Sequence, residues 1–93
     1  MSEQKHAKLY RVRGRVQGVG FRYFVEQSAK ELEIRGWVRN VDDGSVEVYA
    51  LGTVGQHSDL AGLLWKGPRW AEVRGVDEAE AAVEDHFGFS VRQ

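Results

Sequence analysis

Between residues 7 and 16 apolar and polar positions alternate, with Tyr10, Val12, Gly14 and Val16 on one side and Arg11, Arg13 and Arg15 on the other. A period of two marks a strand buried on one face. From Phe21 the period lengthens. Phe21, Phe24, Val25, Ala29 and Leu32 recur at three- and four-residue steps, the apolar face of a helix. Arg22, Glu26, Lys30 and Glu33 take its wet side, with Glu26 and Lys30 at a favourable i,i+4 spacing. Residues 36–41 and 46–51 predict two more strands, joined by Asp42-Asp43-Gly44-Ser45. Asp-Gly between alternating apolar runs is a strong hairpin signal. Thr53 and Gln56 have the spacing of a capping box, ahead of Leu60, Leu63 and Leu64 at helical steps. Gly67-Pro68 stops that helix. Residues 69–76 predict a fourth strand, and the alternation of Phe87, Phe89 and Val91 a final one.

The order β-α-β-β-α-β with a terminal strand is the α+β, ferredoxin-like split βαβ arrangement, an antiparallel sheet with two helices on one face. In it the third strand lies between the first and second. The end of the first strand and Asn40, at the end of the second, then share one end of the sheet, two strand spacings or about 10 Å apart. That gap admits a phosphate and one water. Asn40 has the parity of Val38 and is expected to face the helices, with Arg39 on the opposite side.

The segment Val16-Gln17-Gly18-Val19-Gly20-Phe21-Arg22 occupies the change from strand to helix. Its glycines permit a tight turn with several amides pointing inward. An arginine in a first helical turn is disfavoured by the helix dipole unless an anion sits nearby. Together these features predict a bound anion, most simply a phosphate. Tyr at position 23 excludes a dinucleotide fingerprint, and no Gly-Lys-Ser/Thr follows to make a nucleotide P-loop.

Ninety-three residues predict one domain spanning 1–93, with residues 1–6 as a flexible arm. No apolar run approaches the roughly 20 residues of a membrane span, and the first residues lack the apolar core of a secretion signal. The chain has no cysteine, which fits a reducing cytoplasm and removes thiolate chemistry. Net charge is −1, but residues 1–40 carry +5 and the rest −6. An anion site in the basic half, beside an acidic half, suits a small ligand better than a long polyanion.

With these residues placed, the chain resembles the acylphosphatases. Gly14-Arg15-Val16-Gln17-Gly18-Val19-Gly20-Phe21-Arg22 fits that family's G-x-V-Q-G-V-x-F-R pattern, and Gly36-Trp37-Val38-Arg39-Asn40, followed by Gly44-Ser45-Val46 and Gly52, fits its second. The resemblance implies hydrolysis of the carboxyl–phosphate bond of small acyl phosphates without metal or cofactor. It also implies roles. Arg22 would hold the phosphoryl group, Asn40 would orient the attacking water, and the amides of Gln17, Gly18, Val19, Gly20 and Phe21 would cradle phosphate.

Other features have plainer readings. His6, His57 and His86 lack metal-ligand spacing and read as structural or surface residues. Asp77, Glu78, Glu80, Glu84 and Asp85 read as a solvated connection, and Trp65 and Trp70 as packing residues around Gly67-Pro68. Arg11, Arg13, Arg15, Trp37, Arg39 and Tyr49 would share the open sheet face, where RNA-binding modules stack bases. The pI of about 6.3 argues against nucleic acid as the partner. A phosphate-binding regulatory domain without turnover is the third reading. No membrane partner is expected, and a monomer is.

Overall fold

The computed structural model describes residues 4–93. Seven elements follow in the order β1 (His6–Arg15), α1 (Phe21–Glu31), β2 (Arg35–Asn40), β3 (Val46–Gly52), α2 (Val54–Lys66), β4 (Glu72–Ala81) and β5 (Phe89–Arg92). One five-stranded sheet has the order β4-β1-β3-β2-β5. Of the expected arm, Met1–Glu3 lie outside the described residues, Gln4 and Lys5 are irregular, and His6 already pairs with Gly52.

Both helices pack on one face. Phe21, Val25 and Ala29 of α1 and Leu60 and Leu64 of α2 are buried against Tyr10, Val12, Val38, Val46, Val48 and Ala50 of the sheet. The alternation along β1, β2 and β3 is what aims these side chains inward. Gln56 anchors α2 twice. Its side chain completes a capping box with Thr53, and its Nε2 donates to Leu32 O at 2.9 Å, beyond the end of α1. Beneath α2, His57 is buried. Its Nε2 must donate to the His6 carbonyl at 2.7 Å, so its Nδ1 accepts from the Tyr10 hydroxyl at 2.6 Å. Burial, with Glu78 adding, pushes the Tyr10 phenol well above its ordinary range.

Expectations about the second half of the chain are corrected at several points. The sheet is mixed, because β5 runs parallel to β2. Residues 82–88 must carry the chain from one edge of the sheet to the other, four strand spacings or about 19 Å, within reach of seven extended residues. They cross the open face, where the Tyr49 hydroxyl accepts from Glu84 N and donates to Ala82 O, each at 2.7 Å. Phe87 therefore stands in the crossover, fully exposed, and not in the last strand. The fourth strand runs over 72–81 and not 69–76, so Asp77, Glu78 and Glu80 belong to an edge strand; only Glu84 and Asp85 lie in a connection. Trp65 and Trp70 are 52% and 71% exposed and do not pack the turn. Trp65 lies on the wet side of α2, and the Arg69 guanidinium covers the Trp70 ring at 5.3 Å.

Candidate active site

The chain leaves β1 and enters α1 through Val16–Gly20. Gly18 (φ 74°) and Gly20 (φ 77°) both take left-handed conformations, which cost an L side chain about 1–2 kcal/mol. Gly20 is also the N-cap of α1, so no side chain caps the helix, and the first turn holds no acidic residue. Phe24 N makes the first helical bond, to Gly20 O at 3.0 Å. The amides of Phe21, Arg22 and Tyr23 thus have no intrahelical acceptor. Those of Gln17 to Gly20 meet no main-chain acceptor among the described residues. An uncapped, unneutralised helix start is a ready anion site.

Two side chains fix where this loop sits. Val19 packs against the main core. Gln17 reaches across the end of the sheet, its Nε2 donating to Val41 O and Ser45 O, each at 2.8 Å. Those carbonyls belong to the β2–β3 turn that begins immediately after Asn40. The turn is itself braced. Ser45 O accepts from Val41 N at 2.9 Å and Val41 O from Gly44 N at 3.0 Å. Asp43 Oδ1 accepts from Ser45 Oγ at 2.6 Å and Ser45 N at 2.9 Å. The bond from the Ser45 hydroxyl, then that from its amide, holds the Asp43 carboxyl below its usual range. The sequence reading gave Gln17 only a main-chain amide; its side chain is the strut between loop and turn.

Gly18, Gly20 and Phe21 of the loop, Arg22 and Asn40 line one cavity of about 310 Å³. Gln17 and Val19 do not line it, since their side chains are engaged as described. Asn40 is half-buried and shares the helix-side parity of Val38, while Arg39 points the other way and bonds Glu47 at 2.7 Å. Arg22 is half-buried too. It makes no salt bridge among the described residues, only a long contact of 3.5 Å with Arg92 O. The cavity wall also includes Val16, Tyr23, Glu26, Val91 and Gln93. Sequence reasoning carried Val16 in the loop segment and did not place the other four there. For Tyr23 and Glu26 the available signal was adjacency to Arg22 on the first two turns of α1, and for Val91 its parity with the buried Phe89.

The acylphosphatase family model matches residues 8–91. The chain belongs to the acylphosphatase family. An acylphosphatase of Solibacter usitatus is 51% identical over 86 residues, covering 92% of this chain and 90% of that protein. The structure of an acylphosphatase from Coxiella burnetii superposes with a TM-score of 0.90 at 41% identity, covering 95% of this chain and 93% of that one. That of acylphosphatase from Bacillus subtilis gives 0.91 at 35% identity, covering 97% and 100%. Acylphosphatases hydrolyse acyl phosphates, so these likenesses mark the chain as a hydrolase. Among the described residues no three His, Cys, Asp or Glu side chains gather as metal ligands. No described helix is long and apolar enough to cross a membrane.

Proposed function

We propose that the cavity at the start of α1 hydrolyses the carboxyl–phosphate bond of small acyl phosphates, with Arg22 and the loop amides holding the phosphoryl group and Asn40 orienting the water. One observation carries this reading: an arginine with no carboxylate partner among the described residues, an uncapped helix start and an asparagine amide share one cavity.

The chemistry asks little of the protein. The leaving carboxylate has a low pKa, so it departs without a strong general acid. What remains is positioning and neutralisation of charge on the phosphoryl oxygens. The Arg22 guanidinium offers a planar fork matched to two of them. The free amides supply further donors with no side-chain entropy to lose. Asn40 cannot act as a base near neutral pH, but its amide can both donate to and accept from a water, holding it in line with the leaving oxygen. The water oxygen bonds to phosphorus as the phosphorus–carboxyl oxygen bond breaks. The carboxylate takes the bonding pair, and both water protons end on the product dihydrogen phosphate.

The open sheet face gives the RNA-binding alternative no support. Its Arg11 and Arg39 flank the buried carboxylate of Glu47, and Arg13 bonds Asp77 at 2.9 Å. Cations already paired have little to offer a phosphate backbone.

Hydrolysis of benzoyl phosphate by wild type, Arg22→Lys and Asn40→Ala is the test. Arg22→Lys is expected to lose most activity, because a point charge does not reproduce the fork. Asn40→Ala is expected to keep inhibition by inorganic phosphate while losing rate by on the order of 10²-fold. Wild-type turnover by Arg22→Lys would refute the clamp. An unchanged rate with weakened phosphate inhibition in Asn40→Ala would reverse the two roles. No hydrolysis by wild type would leave only phosphate binding.

A further inference from the structure

The cavity lining extends beyond its phosphate half, to Tyr23, Glu26, Val91 and Gln93. The wall beyond Arg22 and Asn40 is apolar on two sides. Tyr23 projects from the first turn of α1 with 67% of its surface exposed, and Val91 faces the same space from β5 at 37%. Neither belongs to either hydrophobic cluster of the fold. Large apolar side chains left unpacked beside a polar cavity are what a ligand's apolar end can cover. The one acidic side chain in the wall is Glu26, one turn after Arg22, partnered by Lys30 at 3.4 Å.

We infer that Tyr23 and Val91 form the acyl subsite of this cavity, so that the protein selects uncharged acyl groups with a flat or apolar body, and that Glu26 disfavours acyl groups bearing a second carboxylate. The inference rests on the acyl phosphate reading above. The Tyr23 ring can stack on or edge against an aromatic acyl group, while an acetyl group is too short to cover it. The Glu26 carboxylate, at the rim of a partly desolvated site, repels a like charge more strongly than it would in water.

The test compares kcat/KM for benzoyl, acetyl and succinyl phosphate in wild type, Tyr23→Ala, Tyr23→Phe and Glu26→Gln. Change in a substrate ratio on mutation cancels the intrinsic difference in leaving-group reactivity. Tyr23→Ala is expected to lower the benzoyl-to-acetyl ratio by about fivefold or more, and Tyr23→Phe to keep it, with inhibition by inorganic phosphate shifting in neither. Glu26→Gln is expected to raise succinyl phosphate relative to acetyl phosphate. If Tyr23→Ala slows both substrates equally, or leaves the ratio unchanged, the apolar subsite is wrong. An unchanged succinyl-to-acetyl ratio in Glu26→Gln refutes the charge filter. If wild type hydrolyses none of the three, the acyl phosphate reading fails and the subsite with it; hydrolysis of all three with no ratio moved overturns the subsite alone.

Discussion

Replacing Gln17 by alanine removes the side chain that joins the Gly18–Gly20 loop to the turn after Asn40. Two neutral hydrogen bonds of 2.8 Å are lost. Each such bond contributes about 0.5–1.5 kcal/mol net. The carbonyls are not orphaned, because Val41 O keeps Gly44 N and Ser45 O keeps Val41 N. The loss is therefore expected at the lower end, about 1–2 kcal/mol in all. For a domain of this size each kcal/mol lowers Tm by about 4–8 °C. The larger effect is expected on rate. On the proposed mechanism, loop and turn set the separation between phosphoryl group and water, and a misplacement of about 1 Å can cost 10²-fold. The assays are thermal melts, benzoyl phosphate kinetics and competition by inorganic phosphate. Gln17→Ala should lower kcat by about tenfold or more while the inhibition constant for phosphate moves less, since the amides and Arg22 remain. Gln17→Glu keeps the size but sets a carboxylate against two carbonyl oxygens, so it should be no better. A Gln17→Ala protein that melts lower yet keeps kcat within twofold would refute the reasoning, leaving Gln17 a stabilising contact with no part in positioning.

Gly20→Ala meets no atom within 4 Å, so its cost is backbone strain alone, about 1–2 kcal/mol in denaturant unfolding; an unchanged midpoint would mean that the loop relaxes freely. Tyr10→Phe leaves His57 Nδ1 buried without its hydroxyl donor and should cost about 1–3 kcal/mol, with activity retained because the pair lies away from the cavity; the same unfolding assay decides it. Asp43 carries a carboxyl held below its ordinary value by Ser45. A depressed folded pKa stabilises above the unfolded value, about 3.9, and that contribution fades as pH falls through the folded pKa. Urea midpoints of wild type and Asp43→Ala should therefore converge as pH drops below about 4; a constant gap would discount the hydrogen-bonded carboxylate.

Elements whose two faces differ were legible from the chain. Tyr10 and Val12 alternate with arginines because β1 is wet on one side only, and the same parity argument turned Asn40 toward α1 and Arg39 away. The long apolar stripe of α1 and the capping box of α2 were equally plain. Reading weakened where burial does. β4 is an edge strand with Asp77, Glu78, Ala79 and Glu80 all exposed, so no alternation marks its second half, and pairing with β1 from Ala7 to Arg15 defines its full length. β5 is four residues long, and its parallel pairing with β2 depends on a crossover that no local pattern encodes. Part of the cavity wall went unseen for a related reason. Tyr23 is exposed, and an exposed residue carries no burial pattern to say where it points.

The charge split along the chain gains a different meaning once folded. Residues 1–40 are basic and the rest acidic, which on sequence alone favours an anion in the basic half through its net field. Strand pairing brings the halves together. Lys8 meets Glu78 at 3.1 Å and Arg13 meets Asp77 at 2.9 Å across β1 and β4. Arg11 reaches Asp43 at 3.2 Å and Glu47 at 3.6 Å, while Arg39 reaches Glu47 at 2.7 Å. Such pairs add little stability when exposed, but each cancels a cation that would otherwise contribute to a basic field. The asymmetry is thus largely spent on register and on the open face, and what distinguishes the cavity is local. Arg22 sits on the first turn of a helix with no acidic residue there and no carboxylate partner among the described residues. The acidic side chain of the cavity wall, Glu26, pairs with Lys30 at 3.4 Å. On the proposed reading, affinity for an anion therefore belongs to a helix start with no acidic residue in its first turn, and not to the basic half as a whole.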